Sequence, residues 1–373
     1  MIIDTSNAIL YHDGAFPPQE LDYGQIMSSM LGATDALARY DQMLRNMHNS
    51  EIFLAPLRNQ EAVISSRMEG TISTMDEILQ LEAEYGEEIT SASDARSEVI
   101  ETILYQRALR SAQREMEQGR PLSASLLKSI HQQLLSFGRG AQKSPGAFKT
   151  EQNYIGDRGS KRIRFVPIAP EKLESGMDAL FNMMRDEKQP ILLRTALAHI
   201  ELEALHPFKD GNGRVGRMLI TLMLWAGKAI TAPHFYISRY FEENKDEYIA
   251  TMRDVSEKGA WGDWCAFFFT AVREQAIHNL DVANRIQTLY EEMKGRFSQI
   301  LASKWSISAL DYIFTYPVFA NNRFRKGAGI PSQTAGRFTR LLTEEDLLQK
   351  VQESSGRRAA IYRFEPLMEL LRV

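Results

Sequence analysis

The side chains best suited to chemistry are concentrated in residues 205–217, which read LHPFKDGNGRVGR. His206 comes first, and an imidazole with an ordinary pKa near ~6.5 can accept a proton near neutral pH. Asp210 follows it, and a carboxylate is a hard oxygen ligand that can hold Mg²⁺ against phosphate groups. Beside an anion-binding site, such a base and such a carboxylate are the parts that phosphoryl or nucleotidyl transfer needs.

The residues after Asp210 predict that anion-binding site. Gly211 and Gly213 can adopt backbone conformations closed to other residues, and Asn212 tolerates left-handed geometry. Such a run points successive N–H groups into one concavity, and a helix beginning near Arg214 adds its positive N-terminal end. Arg217 lies one helical turn further on, so both guanidinium groups can reach the same anion. The pattern suits a polyphosphate.

Other interpretations of this segment explain less of it. His199, Glu203 and His206 fall on one helical face, as zinc ligands might. However, the His-Glu-x-x-His zinc pattern is absent, and zinc leaves the Gly-Asn-Gly turn and the arginines unexplained. The Walker pattern of P-loop NTPases is also absent. The alternative with a purely structural role is a helix end followed by a core phenylalanine, Phe208.

The elements that must position these residues are mainly helices. Apolar residues recur at helical spacing up to Leu205, where Pro207 ends the helix and orients His206. Residues 148–155 and 163–166 are β-prone runs around a glycine-containing turn, which predicts a hairpin. Further upstream, Thr74 and Glu77 have the spacing of a helix capping box. The expected fold class is mainly α with one β-hairpin.

The last part of the chain has a different pattern. Helical patches at 306–316 and 333–343 precede a turn and the β-prone run 359–364, which is the order of a winged-helix module. This part is locally basic. Its positive side chains belong either to a solvated face or to a surface that contacts DNA. The basic residues are Arg323, Arg325, Lys326, Arg337, Arg340, Arg357 and Arg358.

Composition places the chain among ordinary globular proteins. It has 373 residues, of which 44% are hydrophobic and 25% charged. The net charge of -4 argues against a nucleic-acid-coated protein. The single cysteine, Cys265, excludes an intrachain disulfide and fits a reducing compartment. The longest apolar runs are too short to span a membrane, and no secretory signal is visible, so we expect a cytoplasmic protein.

Residues 206–217 match the signature His-Pro-Phe-x-Asp/Glu-Gly-Asn-Gly-Arg-x-x-Arg at every fixed position. The chain thereby resembles the Fic family of protein adenylyltransferases. The resemblance covers about residues 25–285, and it implies a Fic-type helical core in which the hairpin is the flap that pairs with a target protein. It also implies a nucleotidyltransferase that uses ATP and Mg²⁺ and moves AMP to a protein hydroxyl, with release of pyrophosphate.

The resemblance assigns a role to each motif residue. It implies that His206 deprotonates a Ser, Thr or Tyr hydroxyl of another protein or of the chain itself. It implies that Asp210 holds Mg²⁺ against the α- and β-phosphates. Tyr248 lies in a stretch resembling the one that flanks the adenine pocket. The implied nucleotide-binding residues of the motif are Gly211, Asn212, Gly213, Arg214, Val215, Gly216 and Arg217.

A second motif lies far upstream. Ser65, Glu69 and Gly70 fit the family's inhibitory pattern Ser/Thr-x-x-x-Glu-Gly/Asn. The resemblance implies that this glutamate pairs with Arg217 and misplaces the γ-phosphate, as in relatives with an N-terminal inhibitory helix. From the residues alone, a glutamate near a helix end is more often a solvated charge.

These patterns divide the chain into three expected parts and leave several functions open. The parts are a regulatory region (1–95), a catalytic core (96–290) and a winged-helix-like domain (291–373). The same base and metal could instead remove AMP from a modified protein, with Glu69 orienting water. The basic C-terminal part could instead belong to a DNA-binding regulator whose Fic core is a sensor. A homodimer is plausible.

Overall fold

The computed structural model describes residues 5–47, 49–86, 96–156, 162–355 and 358–372. The hairpin tip at 157–160, the expected boundary at 95 and the basic residue Arg357 fall outside them. Within those ranges, no helix has the length and apolar character needed to cross a membrane. The chain divides into two compact units, one of residues 1–42 and 104–277, the other of 43–103 and 278–373. The three-part division stays a prediction.

The described chain is mainly helical, as predicted. The helices are α1 (Tyr23–Arg45), α2 (Glu51–Met68), α3 (Met75–Tyr85), α4 (Ser97–Glu117), α5 (Ala124–Leu134), α6 (Leu173–Met184), α7 (Ile191–Leu205), α8 (Asn212–Ala226), α9 (Ser238–Glu243), α10 (Lys245–Lys258), α11 (Trp261–Leu301), α12 (Ser306–Thr315), α13 (Asn321–Gly327), α14 (Ser332–Glu344) and α15 (Glu365–Leu371). The strands are β1 (Ile9–Leu10), β2 (Ile155–Gly156), β3 (Ile163–Val166), β4 (Val318–Ala320), β5 (Leu348–Gln352) and β6 (Ile361–Phe364).

The core of the first unit contains the helix pair α7 and α8. Both are apolar around most of their circumference and are buried on nearly every side. Pro190 precedes α7 and Pro207 follows it, so rigid residues without an N–H mark both ends. Gly216 allows α8 to approach α7 closely, because a Cβ there would lie 2.4 Å from Glu203 Oε1 and 3.2 Å from the His199 ring. These two helices hold the motif loop between them.

The predicted hairpin is present, but its first strand is short. β2 and β3 pair antiparallel, with Ile155 opposite Phe165. Residues 149–153 were expected to belong to the first strand, but Lys149 and Asn153 instead bond to the motif loop, as described below. The segment before α1 contains β1, which pairs in parallel with β3 and places Leu10 opposite Val166.

The second unit contains α2, α3 and the C-terminal elements. The predicted capping box is present at α3, where Thr74 Oγ1 accepts from the Glu77 N–H and the Glu77 carboxylate accepts from the Thr74 N–H. Downstream, α12 and α14 precede the strand pair β5 and β6, as the pattern predicted, whereas β4 between α12 and α13 was not predicted; the antiparallel sheet is ordered β4-β6-β5. The winged-helix assignment stays a prediction. Helix α11 continues through the predicted boundary at 290, because Met293, Phe297 and Leu301 extend its buried stripe.

Candidate active site

His206 lies immediately after the last residue of α7. Its N–H donates to Leu202 O, and its backbone is left-handed, with φ 45° and ψ 60°. Its ring lies 3.3 Å from the Glu203 carbonyl through Nδ1. Because a carbonyl oxygen can only accept, this contact places the proton on Nδ1 and leaves a lone pair on Nε2. That tautomer is the one a general base needs.

The loop after His206 is closed by the side chain of Asn212. Its Oδ1 accepts from the Phe208 N–H and its Nδ2 donates to Phe208 O, both at 2.8 Å. Gly211 is left-handed, with φ 76°, as expected. Asn212 and Gly213, for which we expected similar geometry, are instead in the first turn of α8. The anion site is therefore a helix N-terminus rather than a left-handed nest, because the N–H groups of a first helical turn point out of the helix end.

Asp210 has the properties of a Mg²⁺ ligand. Its Oδ1 accepts from the Gly211 N–H at 2.6 Å, and 37% of the side chain is exposed. The described ranges contain no group of three or more His, Cys, Asp or Glu residues that could hold a metal. One accessible carboxylate nevertheless fits Mg²⁺, which keeps several waters and is commonly held by one or two carboxylates together with substrate phosphates.

Two arginines place positive charge under the loop. Arg214 and Arg217 are almost completely buried in α8, and a buried guanidinium is rare unless it has a specific partner or task. The nearest Arg214 nitrogen lies 3.8 Å from Asp210 Oδ1. Together with the N-terminus of α8, they make this end of the helix electropositive. The neighbouring motif residues Val215 and Gly216 are buried between α7 and α8.

The zinc alternative does not fit the geometry of His199. Its Nδ1 donates to Gly216 O at 3.1 Å, and its Nε2 accepts from the Tyr248 hydroxyl at 2.8 Å. Both ring nitrogens are therefore engaged within the core. Burial lowers the pKa of His199 to about 3, so the ring is neutral. His199 is a core residue that ties α7 to α8 and α10.

Tyr248 is buried and stacks on Phe241, with ring centroids 4.4 Å apart. Its hydroxyl is used in the bond to His199. Only 5% of the residue is exposed, which favours a packing role. The contact with adenine stays a prediction.

Three residues that contact the motif loop were not identified as site residues from the sequence. His131 on α5 bonds to the Asp210 carbonyl, while Lys149 and Asn153 before β2 bond to carbonyls of residues 205–208. His131 had a detectable signal, because it is a polar residue between the buried Ile130 and Leu134 of an amphipathic helix. Lys149 and Asn153 had none, since polar residues near a hairpin are usually solvated.

The upstream motif is in the second unit. Ser65 is completely buried on α2, which ends at Met68, and Glu69 is the residue that caps this helix. Gly70 follows with φ 77°, and its N–H donates to Arg67 O at 2.8 Å. Helix α2 therefore ends just before a residue whose left-handed backbone favours glycine. The inhibitory role of Glu69 stays a prediction.

Comparison with known proteins supports the family resemblance. The Fic/DOC family profile matches residues 121–224, and the Fic/DOC family N-terminal profile matches residues 27–114. Protein adenylyltransferase fic-1 from Caenorhabditis elegans is 32% identical over 107 residues, which are 28% of this chain and 19% of that protein. Protein adenylyltransferase Fic from Nematostella vectensis is 36% identical over 99 residues, which are 26% and 21% of the two chains. The matches thus span about a fifth of the length of these relatives.

A shorter relative and two solved structures extend the comparison. A Fido domain-containing protein of Dictyostelium discoideum is 30% identical over 118 residues, which are 31% of this chain and 74% of that protein. A Fic family protein from Desulfovibrio desulfuricans has a similar fold, with a TM-score of 0.59, 16% identity and coverage of 94% and 98% of the two chains. A Fic domain protein from Bacteroides thetaiotaomicron also has a similar fold, with a TM-score of 0.52 and 18% identity. The match covers 68% of this chain and 96% of that chain. From its motif, its fold and these matches, the chain belongs to the Fic/DOC family.

Proposed function

We propose that the chain is an autoinhibited protein adenylyltransferase, which moves AMP from ATP to a Ser, Thr or Tyr hydroxyl of a protein and releases pyrophosphate. The observation that carries the proposal is the position of His206, which directly follows α7 and precedes the loop at the N-terminus of α8, with its ring Nδ1 3.3 Å from the Glu203 carbonyl. This base lies at the entrance to a helix N-terminus with two buried arginines, Arg214 and Arg217. The names of the similar adenylyltransferases agree with this activity.

In the proposed reaction, Nε2 of His206 takes the proton from the target hydroxyl. The hydroxyl oxygen then attacks the α-phosphorus of ATP, and the bond from that phosphorus to the bridging oxygen breaks as pyrophosphate leaves. The N–H groups at the start of α8, together with Arg214 and Arg217, bind the phosphate oxygens. Asp210 would hold Mg²⁺, which would supply neutralisation of the phosphate charge.

We propose that Glu69 inhibits this reaction by pairing with Arg217. The upstream motif supports the proposal, because α2 is buried along most of its length and presents Glu69 at a defined helix end. If Glu69 occupies the guanidinium of Arg217, the γ-phosphate loses its ligand, and ATP binds in a form that cannot react. Weak activity of the unmodified chain is then expected.

Labelling with α-³²P-ATP and Mg²⁺ tests both proposals. Glu69→Gly is expected to increase protein labelling, and adding His206→Ala is expected to abolish it. Glu117→Gly, which removes an exposed glutamate at the end of α4, is the matched control and should change nothing. Unchanged labelling in Glu69→Gly would contradict the inhibitory role, and labelling by the double variant would contradict His206 as the base. Intact-mass spectrometry of Glu69→Gly would show whether the chain modifies itself.

Removal of AMP is a second reaction that the same residues could perform. His206 and Asp210 could activate water, and Glu69 could orient it. Incubating the unmodified chain with an AMP-modified target and measuring free AMP separates the two directions. AMP release that depends on Glu69 would favour removal, whereas release unaffected by Glu69→Gly would contradict it.

For the C-terminal elements we propose a winged-helix module with a nucleic-acid surface. The supporting observation is that Arg325 and Lys326 on α13, and Arg337 and Arg340 on α14, are all exposed. Full-length chain with Arg325→Glu and Lys326→Glu should bind duplex DNA more weakly than the unmodified chain at physiological salt. Binding should also weaken as salt increases. If fluorescence anisotropy titrations give the same affinity for duplex DNA with both proteins, the proposed nucleic-acid surface of the module is contradicted.

We further propose that the protein is cytoplasmic and forms a homodimer. The single cysteine, Cys265, is buried, and burial raises the pKa of its thiol to about 12, which suits an unreactive side chain in a reducing compartment. Light scattering after size-exclusion chromatography would test the dimer. A single mass near 42.5 kDa at micromolar concentration would contradict it.

A further inference from the structure

Two residues before β2 bind four consecutive backbone carbonyls of the motif segment. The carbonyls belong to residues 205–208, at the end of α7 and the start of the loop. The bonds run from Lys149 Nζ to Leu205 O (3.0 Å), from Asn153 Nδ2 to His206 O (2.9 Å), from the Lys149 N–H to Pro207 O (2.8 Å) and from Asn153 Nδ2 to Phe208 O (3.1 Å). No carbonyl in this turn is therefore left to solvent alone.

The turn needs such support because of the backbone at His206. Its φ of 45° is in the left-handed region, which residues with a side chain rarely adopt. Pro207 follows and has no N–H with which to stabilise the turn. Strained conformations persist where surrounding contacts determine them, and they are concentrated at functional sites. Here the surrounding contacts come from Lys149 and Asn153.

Lys149 also determines how Asn153 is oriented. The Lys149 ammonium donates to Asn153 Oδ1 at 2.7 Å. An ammonium group can only donate, so the other end of the amide, Nδ2, must face the His206 and Phe208 carbonyls. The two residues therefore act as one unit, in which the lysine selects the amide orientation that the loop requires.

The burial of Lys149 indicates that its hydrogen bonds to the motif loop are specific and not an incidental surface contact. Only 3% of the residue is exposed, although lysine is almost never fully buried. Both acceptors of its ammonium in the bonds described above are neutral oxygens, and burial lowers its pKa to about 7. A lysine held in this way costs desolvation free energy. A position with no task would favour an apolar residue instead.

We propose that Lys149 and Asn153 are positioning residues for adenylyl transfer, holding His206 in the left-handed conformation that aims its imidazole at the target hydroxyl. They act through the backbone of His206 and touch neither nucleotide nor target. The inference rests on the proposed function, because the orientation of the His206 ring matters only if that ring is the base. It goes further because it names the two residues, Lys149 and Asn153, that produce this orientation.

Kinetics in a Glu69→Gly parent test the proposal. Asn153→Asp keeps the shape but replaces the donating nitrogen by an oxygen that repels the two carbonyls. A misplacement of about 1 Å can cost about 100-fold in rate, so kcat should fall by about 100-fold while the KM for ATP changes by less than about threefold. Lys149→Met should lower kcat by at least about tenfold, and Lys149→Arg, which keeps the donors, should recover most of it.

Controls separate positioning from loss of folding. Thr150→Ala changes an exposed residue of the same segment and should leave kcat unchanged. Each variant should retain the parent's melting temperature within a few degrees and its affinity for ATP by calorimetry. If Asn153→Asp and Lys149→Met are folded and keep kcat within about threefold of the parent, the proposal is overturned. A rise in KM at constant kcat also overturns it, because it would indicate direct substrate binding.

A second readout does not depend on activity. At fixed pH, nitrogen NMR of the His206 ring should show the proton on Nδ1 in the unmodified chain and a redistributed proton in Asn153→Asp. An unchanged ring signal in the variant overturns the positioning role. If the ring signal changes but Glu69→Gly shows no transfer activity, the positioning role stands and the proposed function fails.

Discussion

The imidazole of His131 donates from Nε2 to the backbone oxygen of Asp210 at 2.9 Å, and its Nδ1 accepts from the Gly146 N–H at 2.8 Å. One buried ring thus connects α5, the start of the flap and the loop residue that we expect to bind Mg²⁺. The same ring stacks on Phe208, with centroids 3.8 Å apart. Since one nitrogen donates and the other accepts, the ring must be neutral, and burial lowers its pKa to about 4.

Replacing His131 by phenylalanine should destabilise the protein without removing the stack. His131→Phe keeps a ring against Phe208 but leaves the Asp210 carbonyl and the Gly146 N–H without this partner. Each unsatisfied buried group costs about 1–3 kcal/mol, so with two such groups the free energy of unfolding should fall by about 2–6 kcal/mol. Urea titration followed by tryptophan fluorescence measures the change. His131→Gln can remake one bond and should lose less; equal losses would contradict this explanation.

His199 should make stability depend on pH below neutrality. In the unfolded chain its pKa is near 6.5, whereas in the folded protein it is about 3. Between these values the unfolded state binds the proton and the folded state does not. The free energy of unfolding should therefore fall as pH drops from about 6.5 towards 3, by up to about 1.4 kcal/mol per pH unit from this residue. Above pH 7 the protonation of His199 should no longer change the free energy of unfolding.

The comparison that isolates this effect is His199→Gln. Glutamine can still donate to Gly216 O and accept from Tyr248, but it does not titrate. Urea midpoints measured from pH 4 to pH 7 should decline less steeply in the variant than in the unmodified chain. Parallel curves would show that His199 is not the residue responsible.

Gly216→Ala should strain the contact between α7 and α8. The added methyl group would lie 2.4 Å from Glu203 Oε1 and 3.2 Å from the buried His199 ring. The carboxylate can move but the ring cannot, and overpacking of this kind costs about 1–3 kcal/mol. Thermal unfolding measures the loss. Gly336→Ala on α14 meets nothing within 4 Å and should instead stabilise its helix slightly; a loss at both positions would contradict the packing argument.

Asp76 should stabilise the second unit through a charged network. Its two oxygens bond to Arg363 at 2.9 Å and to Arg372 at 3.2 Å, and both arginines also pair with Glu365. These groups are only partly buried, so Asp76→Asn should lower the free energy of unfolding by about 1 kcal/mol, and less at high salt. The exposed Asp35, which pairs with Arg39, provides the control, and Asp35→Asn should have no measurable effect.

The sequence by itself determined those features that depend on neighbours along the chain. The motif at 206–217 pointed to the candidate base, carboxylate and arginines, whose roles stay predictions, and Pro207 marked the end of α7. The capping box at Thr74 and the mainly helical fold with one β-hairpin were also predicted correctly. Each follows from local sterics, local hydrogen bonds or apolar periodicity, which a short stretch of residues contains completely.

Only the tertiary structure decided which distant residues support the site. His131 meets Asp210 from 79 positions away, Lys149 meets Leu205 from 56, and β1 pairs with β3 across most of the first half of the chain. Only His131 had a local signal, as a polar residue on the apolar face of an amphipathic helix. Elsewhere a polar side chain that will bond to a buried carbonyl looks the same in sequence as one that faces water. The left-handed backbone of His206 was hidden for the same reason, since histidine itself rarely adopts it and the carbonyls around it are bonded by the distant Lys149 and Asn153.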